Sequence, residues 1–192
     1  MRVIAGAVGG IQLDVPKSGV RPTMDRVKAA IFSSLGEEII GARVLDLFAG
    51  TGALGIEALS RGAASALFVE ENSAAVAAIE RNLARTKLEG RVRKQDVFAF
   101  LPSAQIPQPF RIVFADPPYE KTKSGGEFTA LLLESAELAG MIEPSGIFVL
   151  EKRPTEKMPP APLWDITRAR RYGATEVLFL QRAHVATEAR SR

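Results

Sequence analysis

The sequence contains no cysteine and a single histidine, His184, among its 192 residues. Without thiols there can be no disulfide, no thiolate zinc site and no cysteine nucleophile. His184 lies in residues 183–192, A-H-V-A-T-E-A-R-S-R, which lack apolar periodicity and are expected to fray. Histidine catalysis is therefore disfavoured, and we expect no metal site.

Long hydrophobic runs are also missing. No stretch reaches the length of a membrane span, and the N-terminus M-R-V-I-A-G-A-V-G-G has no apolar run long enough for a signal peptide. The composition, 46% apolar and 24% charged, is typical of a globular chain that buries one sizeable core. We therefore expect a soluble, cytoplasmic protein that makes no membrane contact, and we expect a monomer.

The charge is uneven along the chain. Residues 1–36 hold five basic groups against two acids, whereas the other 156 residues hold 20 groups of each sign, so the net charge of +3 lies at the front. A basic front is what a phosphate-contacting surface needs. An excess of this size is equally compatible with a solvated face, so charge alone does not establish a nucleic-acid partner.

Apolar runs alternate with helical segments after Gly41, and several of the runs are uniformly apolar. This alternation predicts an α/β fold with a parallel sheet covered on both faces. The predicted strands are 43–48, 66–70, 91–96, 111–116 and 146–151, and the predicted helices are 53–61, 73–87, 97–101 and 127–140.

The two ends of the chain differ from this pattern. Residues 2–15 are expected to form two short strands around a glycine turn, followed by a helix capped at Thr23 and ended by Gly36. Near the C-terminus, 164–172 and 175–182 flank G-A and predict a β-hairpin. We therefore divide the chain into a hairpin-and-helix extension (1–36), a main domain (37–182) and a frayed tail (183–192).

A glycine-rich loop follows the first predicted strand, where Gly50, Gly52 and Gly55 satisfy the spacing G-x-G-x-x-G. This spacing suggests a dinucleotide site, or only a tight strand-to-helix turn. Asp46 separates the possible ligands because a carboxylate near the end of an apolar strand is costly unless a cationic or hydrogen-bond-donating group meets it. A pyrophosphate would add negative charge, whereas S-adenosylmethionine brings an ammonium and a sulfonium.

Further acids end the following strands. Glu70 is placed to bind two ribose hydroxyls of either cofactor, and Asp96 either accepts a bond from an adenine amine or caps the next helix. With Asp46 and Asp116, these acids fall at the carboxyl ends of successive strands. Open α/β sheets bind their ligands at that edge.

The stretch F-A-D-P-P-Y-E-K, 114–121, supplies a second set of groups. If Asp116 and the carbonyl of Pro117 accept hydrogen bonds from an exocyclic amine, they can aim its lone pair outward. Prolines keep that carbonyl in place, and Tyr119 offers a flat face to a base removed from its stack. Taken singly, most D-P-P sequences are only turns.

Together, D-L-F-A-G-T-G and D-P-P-Y resemble the class I S-adenosylmethionine-dependent methyltransferases that modify exocyclic amines. R-P-T-M-D-R-V and the stretch L-D-L-F-A-G-T-G-A-L-G-I-E-A-L-S-R-G more closely resemble the RsmD family, which methylates N2 of one guanine, position 966, in 16S ribosomal RNA. The resemblance implies a Rossmann-like, doubly wound, mostly parallel seven-stranded sheet. It assigns the cofactor to Asp46, Gly50, Gly52, Glu70, Asp96 and Thr23, and the target guanine to Asp116, Pro117 and Tyr119.

The resemblance also implies RNA contact, within the small subunit or an assembly intermediate. Members of the family usually carry basic residues in the first hairpin, whereas this chain has Ala7, Val8, Gly10 and Ile11 there. RNA contact is therefore expected from Arg2, Lys17, Arg21, Arg26, Lys121 and Lys123. Three alternatives stay open: an adenine-N6 methyltransferase acting on DNA or RNA, a non-catalytic RNA-binding assembly module and a nicotinamide dehydrogenase.

Overall fold

The computed structural model describes residues 1–15, 25–118 and 127–183. Its strands are β1 (Arg43–Leu47), β2 (Ser65–Glu70), β3 (Arg91–Lys94), β4 (Phe110–Ala115), β5 (Ile142–Lys152), β6 (Trp164–Tyr172) and β7 (Thr175–Arg182). Its α-helices are α1 (Asp25–Leu35), α2 (Ala53–Ser60), α3 (Ser73–Thr86), α4 (Val97–Ser103), α5 (Glu127–Glu134) and α6 (Ala136–Gly140), and a 3-10 turn spans Gly36–Ile39.

All seven strands form one sheet in the order β3-β2-β1-β4-β5-β7-β6. Strands β1 to β5 are parallel to one another, and β7 lies antiparallel between β5 and β6. The strand order reverses between β1 and β4, and the crevice at such a reversal is where open α/β sheets bind ligands. The predicted fold class is confirmed.

Helices cover both faces of the sheet. On one face, α1, α2 and α3 bury Phe32, Ile56 and Ile79 together with Phe114 of β4. On the other face, α4, α5 and α6 pack with Val113 of β4 into a second cluster that includes Leu101, Leu132, Leu138 and Trp164. Because β4 is buried on both faces, its sequence is apolar except for Arg111 near its start, as is typical of parallel central strands.

The predicted N-terminal hairpin is short, with one antiparallel bridge between Arg2 and Gln12. Backbone hydrogen bonds pair its two arms on both sides of that bridge, from Val3 to Ile11 and from Leu13 to Met1. Beyond it, the N–H groups of Ile4 and Ala5 donate to the carboxylate of Glu57, which fixes the segment on α2.

The helix predicted over 127–140 is divided at Ser135. Its hydroxyl accepts a hydrogen bond from the N–H of Leu138 at 3.0 Å, so it caps α6 and separates that helix from α5. The C-terminal hairpin forms as predicted, with Gly173 at φ +61° in its turn. The predicted cap Thr23 and residues 184–192 of the predicted tail lie outside the described residues.

Gly36 takes φ +55° directly after α1, as expected for a residue that ends a helix. In the described part of the chain, no helix combines the length and apolar character needed to cross a bilayer.

Candidate active site

Asp46 lies on β1 beside the reversal of strand order, with its side chain pointing at α2. Its Oδ2 atom accepts a hydrogen bond from the N–H of Gly55 at 2.8 Å, and the residue is only 2% exposed. A Cβ atom at Gly55 would lie 2.2 Å from Cε1 of Phe68 and 3.1 Å from Oδ2 of Asp46. Glycine is therefore required for the close approach of α2 to β1 and β2.

The pKa of Asp46 is shifted far from the usual value of an aspartate. The pKa of Asp46 is raised to about 8, chiefly by burial; the charges of Asp116 and Glu70 act in the same direction, and the hydrogen bond from Gly55 opposes them. Among the described residues, none of the recorded salt bridges involves Asp46. A cationic ligand would supply the compensation that the fold does not.

The glycines of the loop use their N–H groups internally. Gly50 donates to Oε2 of Glu70 at 2.8 Å, Gly52 donates to the carbonyl of Ala49 at 2.7 Å, and Gly55 donates to Asp46. A pyrophosphate site needs such N–H groups directed at the ligand. The dinucleotide interpretation of the glycine spacing is therefore disfavoured by the hydrogen bonds themselves.

Glu70 connects the ends of β2 and of the glycine loop. Its second oxygen, Oε1, accepts from the N–H of Asn72 at 2.8 Å, so the carboxylate is held by two backbone donors. Each carboxylate oxygen has a further lone pair, and the residue is partly exposed at the sheet edge. Glu70 can thus accept hydrogen bonds from the hydroxyls of a ligand without leaving its position.

Asp96 caps α4, since its Oδ1 accepts from the N–H of Ala99 at 2.8 Å. Next to it, three partly exposed phenylalanines form a cluster that sequence reasoning missed: Phe48, Phe98 and Phe128, with ring centroids 5.4 to 6.0 Å apart. Phe48 has φ +55°, a conformation that is strained for a non-glycine residue. The cluster gives the edge an apolar wall beside the acids.

Asp116 follows β4 at the other side of the reversal. It is partly buried, the next residue Pro117 is buried and Pro118 is exposed. The charge of Asp116 acts on Asp46, which brings the two predicted sites into one crevice. Within the described residues, no three His, Asp or Glu side chains are grouped so as to hold a metal ion.

Of the other predicted site residues, the structure describes only Arg2 and Arg26. Arg2 and Arg26 are exposed, and Nε of Arg2 lies 3.7 Å from Oδ2 of Asp25, which places the N-terminus beside the start of α1. The remaining predicted residues lie outside the described residues: Lys17, Arg21, Thr23, Tyr119, Lys121 and Lys123.

A buried charge cluster behind the glycine loop was also missed. Glu57 is fully buried and accepts from Ile4 and Ala5, while Nζ of Lys28 lies 3.4 Å and Nε of Arg61 lies 2.8 Å from its oxygens. Burial lowers the pKa of Lys28, and Glu57 opposes that shift. A lone acid in an apolar helix, followed four residues later by arginine, was the available signal.

Asn82 of α3 joins the same N-terminal segment to the loop. Its amide nitrogen donates to the carbonyls of Asp14 and Thr51, at 3.1 and 3.0 Å, and its Oδ1 accepts from the N–H of Asp14 at 2.7 Å. The loop behind Asp46 is therefore fixed from both α2 and α3 by buried hydrogen bonds.

The family described as "Conserved hypothetical protein 95" matches residues 1–181. The chain belongs to this family. "Ribosomal RNA small subunit methyltransferase D" of Escherichia coli (strain K12) is 37% identical over 185 residues, which cover 95% of this chain and 90% of that protein. The predicted RsmD family and the methyltransferase class are thereby confirmed.

Solved structures agree with the fold. A putative methyltransferase from Escherichia coli superposes with a TM-score of 0.79 at 36% identity, covering 95% of this chain and 97% of that chain. A Thermus thermophilus 16S rRNA N2 G1207 methyltransferase, solved with AdoMet and guanosine, gives a TM-score of 0.68 at 24% identity, covering 87% of this chain and 44% of that chain. At that identity, the second comparison shows the shared fold alone.

Proposed function

We propose that the protein transfers a methyl group from S-adenosylmethionine to the exocyclic N2 amine of a guanine in 16S ribosomal RNA, position 966. The observation that carries this proposal is the buried, uncompensated carboxylate of Asp46, which shares a crevice with Asp116 at the strand-order reversal. One acid fits a cationic cofactor and the other fits an amine donor. The name of the Escherichia coli relative supports ribosomal RNA as the substrate class.

The donor set fits this cofactor. Asp46 would hold the cationic methionine end, with Gly50 and Gly52 allowing close backbone approach, and Glu70 would accept hydrogen bonds from the ribose hydroxyls. The adenine would lie beside Asp96 and the ring of Phe98. When bound, S-adenosylmethionine supplies a methyl group on a positively charged sulfur.

The target half of the crevice would act on the guanine amine. Asp116 and the carbonyl of Pro117 would accept its two hydrogens, which directs the nitrogen lone pair away from them and toward the cofactor half. Tyr119 would stack on the flipped base, a role that we carry over from the D-P-P-Y resemblance. The proton that the amine loses on methylation can be accepted by Asp116 or by solvent.

The RNA would be held mainly by cations around this crevice. We propose Arg2 and Arg26 from the front of the chain, with Lys17, Arg21, Lys121 and Lys123, and we propose Thr23 near the cofactor. The substrate would be the small subunit or an assembly intermediate of it, and the enzyme would act as a cytoplasmic monomer. The extension formed by residues 1–36 would then belong to the RNA-binding surface.

Methyl transfer from labelled S-adenosylmethionine tests the proposal. The protein is offered naked 16S RNA, small subunits that lack the modification and duplex DNA, and the labelled nucleotide is mapped. We expect N2-methylguanine at one position of the RNA. Label found only in DNA, or on adenine N6, would contradict the proposed substrate.

Asp116→Ala serves as the matched inactive variant. It removes one of the two acceptors of the amine and leaves the carbonyl of Pro117, so we expect a loss in kcat of at least about 100-fold, with the affinity for S-adenosylmethionine nearly unchanged. An enzyme with undiminished activity would refute the role of Asp116. A wild-type protein that binds RNA but never labels it would instead support an assembly module.

A further inference from the structure

Strand β6 forms one edge of the sheet, next to β7 alone. Seven consecutive residues of this strand, 165–171, are exposed. They include Arg168, Arg170 and Arg171, here called the β6 arginines, against one acid, Asp165. These cations surround the edge of the sheet: Arg168 and Arg170 pair with Phe179 and Val177, which face α1, whereas Arg171 pairs with Glu176 and lies on the other face. The strand edge is therefore basic, although the net charge of residues 37–192 is zero.

The β6 arginines keep their positive charge available. Within the described residues, none of the recorded salt bridges involves them. Their recorded hydrogen bonds end on neutral backbone carbonyls, those of Ser34, Ala169 and Gly173. Arg81 and Arg85, by contrast, both contact Asp14.

The acid opposite the strand is already in use. Glu176 pairs with Arg171 in the β6–β7 register, but its Oε2 accepts a hydrogen bond from Nζ of Lys152 at 3.0 Å. Lys152 is almost completely buried and takes this oxygen of Glu176. None of the salt bridges among the described residues joins Arg171 to Glu176, and Nε of Arg171 donates only to the neutral carbonyl of Gly173.

The position of the hairpin relates these cations to the crevice. Glu176 of β7 lies opposite Lys152, the last residue of β5, so the β6–β7 turn lies at the edge where the parallel strands end. Strand β6 is three strands from β4, which corresponds to about 14 Å at ~4.8 Å per strand. Asp116 follows β4, whereas Asp46 and Glu70 lie on the opposite side of β4.

We propose that the β6 arginines bind phosphates of the RNA strand that carries the target base. This inference rests on the proposed function, since it needs an RNA whose base is flipped toward Asp116. A flipped base leaves its neighbouring nucleotides outside the pocket, and their phosphates need cations within about one or two nucleotides of it. Arginine suits this role because its planar fork donates two hydrogen bonds to one phosphate.

Charges on an edge strand also prevent pairing with other sheets, and this effect must be separated from RNA binding. The chain provides the control, because β3, the opposite edge strand, carries Arg91 and Arg93 in an equally exposed setting. Both edge strands, β3 and β6, lie three strands from β4 in the sheet order. Only β6 lies on the target side of the crevice.

The experiment compares Arg170→Glu/Arg171→Glu with Arg91→Glu/Arg93→Glu. The affinity for an RNA fragment that contains the target guanine is measured at several salt concentrations, with circular dichroism to check the fold. For the β6 variant we expect Kd to rise about tenfold and the salt slope to fall by about 1.4, the value for two single-strand phosphate contacts. The KM for RNA should rise in parallel, while kcat at saturating RNA and the Kd of S-adenosylhomocysteine stay unchanged.

For the β3 variant we expect a change in Kd of less than about twofold at moderate salt, because those cations lie on the cofactor side. Equal losses at both edges would overturn the proposal in favour of a general charge effect. An unchanged RNA affinity, with activity lost only on assembled subunits, would also overturn it, since the surface would then contact a protein.

Arg170→Gln/Arg171→Gln covers the case in which the glutamate variant does not fold. It removes the two charges without reversing them, and it should show the same reduction in salt slope with a smaller rise in Kd. A wild-type protein that methylates no RNA would refute the proposed function. The comparison of RNA binding at the two edges would still decide for or against the β6 surface.

Discussion

Two buried acids, Asp46 on β1 and Glu57 on α2, lie in neighbouring elements but differ in the groups that compensate their charge. Both accept backbone N–H groups, Asp46 from Gly55 and Glu57 from two residues of the N-terminal segment. Glu57 also meets Lys28 and Arg61, at 3.4 and 2.8 Å. None of the salt bridges among the described residues involves Asp46, and burial raises its pKa to about 8.

This difference separates a structural acid from a ligand-binding acid. A buried charge is tolerated when the protein supplies counter-charges and hydrogen bonds, as it does for Glu57. A buried acid without them lowers the stability of the empty protein and persists only where another requirement keeps it. We therefore expect the two residues to respond in opposite ways to removal of their charge.

The largest effect is expected for Glu57→Ala. The substitution leaves Lys28 buried without its acid and removes the acceptor of two backbone N–H groups, so the free energy of unfolding should fall by about 3–5 kcal/mol. Urea denaturation followed by circular dichroism measures this loss. The double variant Lys28→Met/Glu57→Gln should be more stable than Glu57→Ala, and a less stable double variant would contradict the ion pair's role.

A smaller but more specific effect is expected for Asp46→Asn. The amide oxygen can still accept the hydrogen bond from Gly55, so the fold should be retained. The affinity for S-adenosylmethionine should fall by about 2 kcal/mol, ~30-fold, because the counter-charge for a cationic ligand is lost. Titration calorimetry measures it, and unchanged affinity would show that Asp46 does not hold the cofactor.

The pH dependence of stability provides an independent test of Asp46. Its pKa is about 8 in the folded protein and near the model-peptide value of 3.8 when unfolded, so the folded state holds a proton that the unfolded state has lost. The stability of the wild type should therefore fall relative to Asp46→Asn as the pH rises from about 4 to about 8. Parallel curves for the two proteins would contradict the raised pKa.

Much of the crevice could be predicted because parallel strands bring their carboxyl ends to one edge. The acids that end or follow β1, β2, β3 and β4 were found from the apolar runs before them. The cap made by Asp96 was one of two interpretations, and the structure shows that hydrogen bond. Roles in ligand binding for these residues stay predictions.

Two of the missed features depend on contacts between distant segments. Lys28 looks like a polar interruption of α1 until packing brings it to Glu57, and no local pattern shows that Glu57 accepts the N–H groups of Ile4 and Ala5. The break before α6 is local, because Ser135 caps that helix. The same serine could also continue a helix, and the sequence pattern does not distinguish the two conformations. Local periodicity carries none of this information.

The smallest effect is expected for Arg61→Met, which tests how many cations Glu57 needs. Arg61 is partly exposed, with its guanidinium 4.9 Å from the ring centre of Phe32 and its Nε bonded to Glu57. Methionine keeps the apolar contact with the ring, and Lys28 still compensates the carboxylate, so the loss should be about 1 kcal/mol. A loss as large as that of Glu57→Ala, measured in the same urea titration, would mean that Lys28 alone cannot balance Glu57. In that case the charge of Glu57, like that of Asp46, would be poorly compensated within the protein, although two cations contact it.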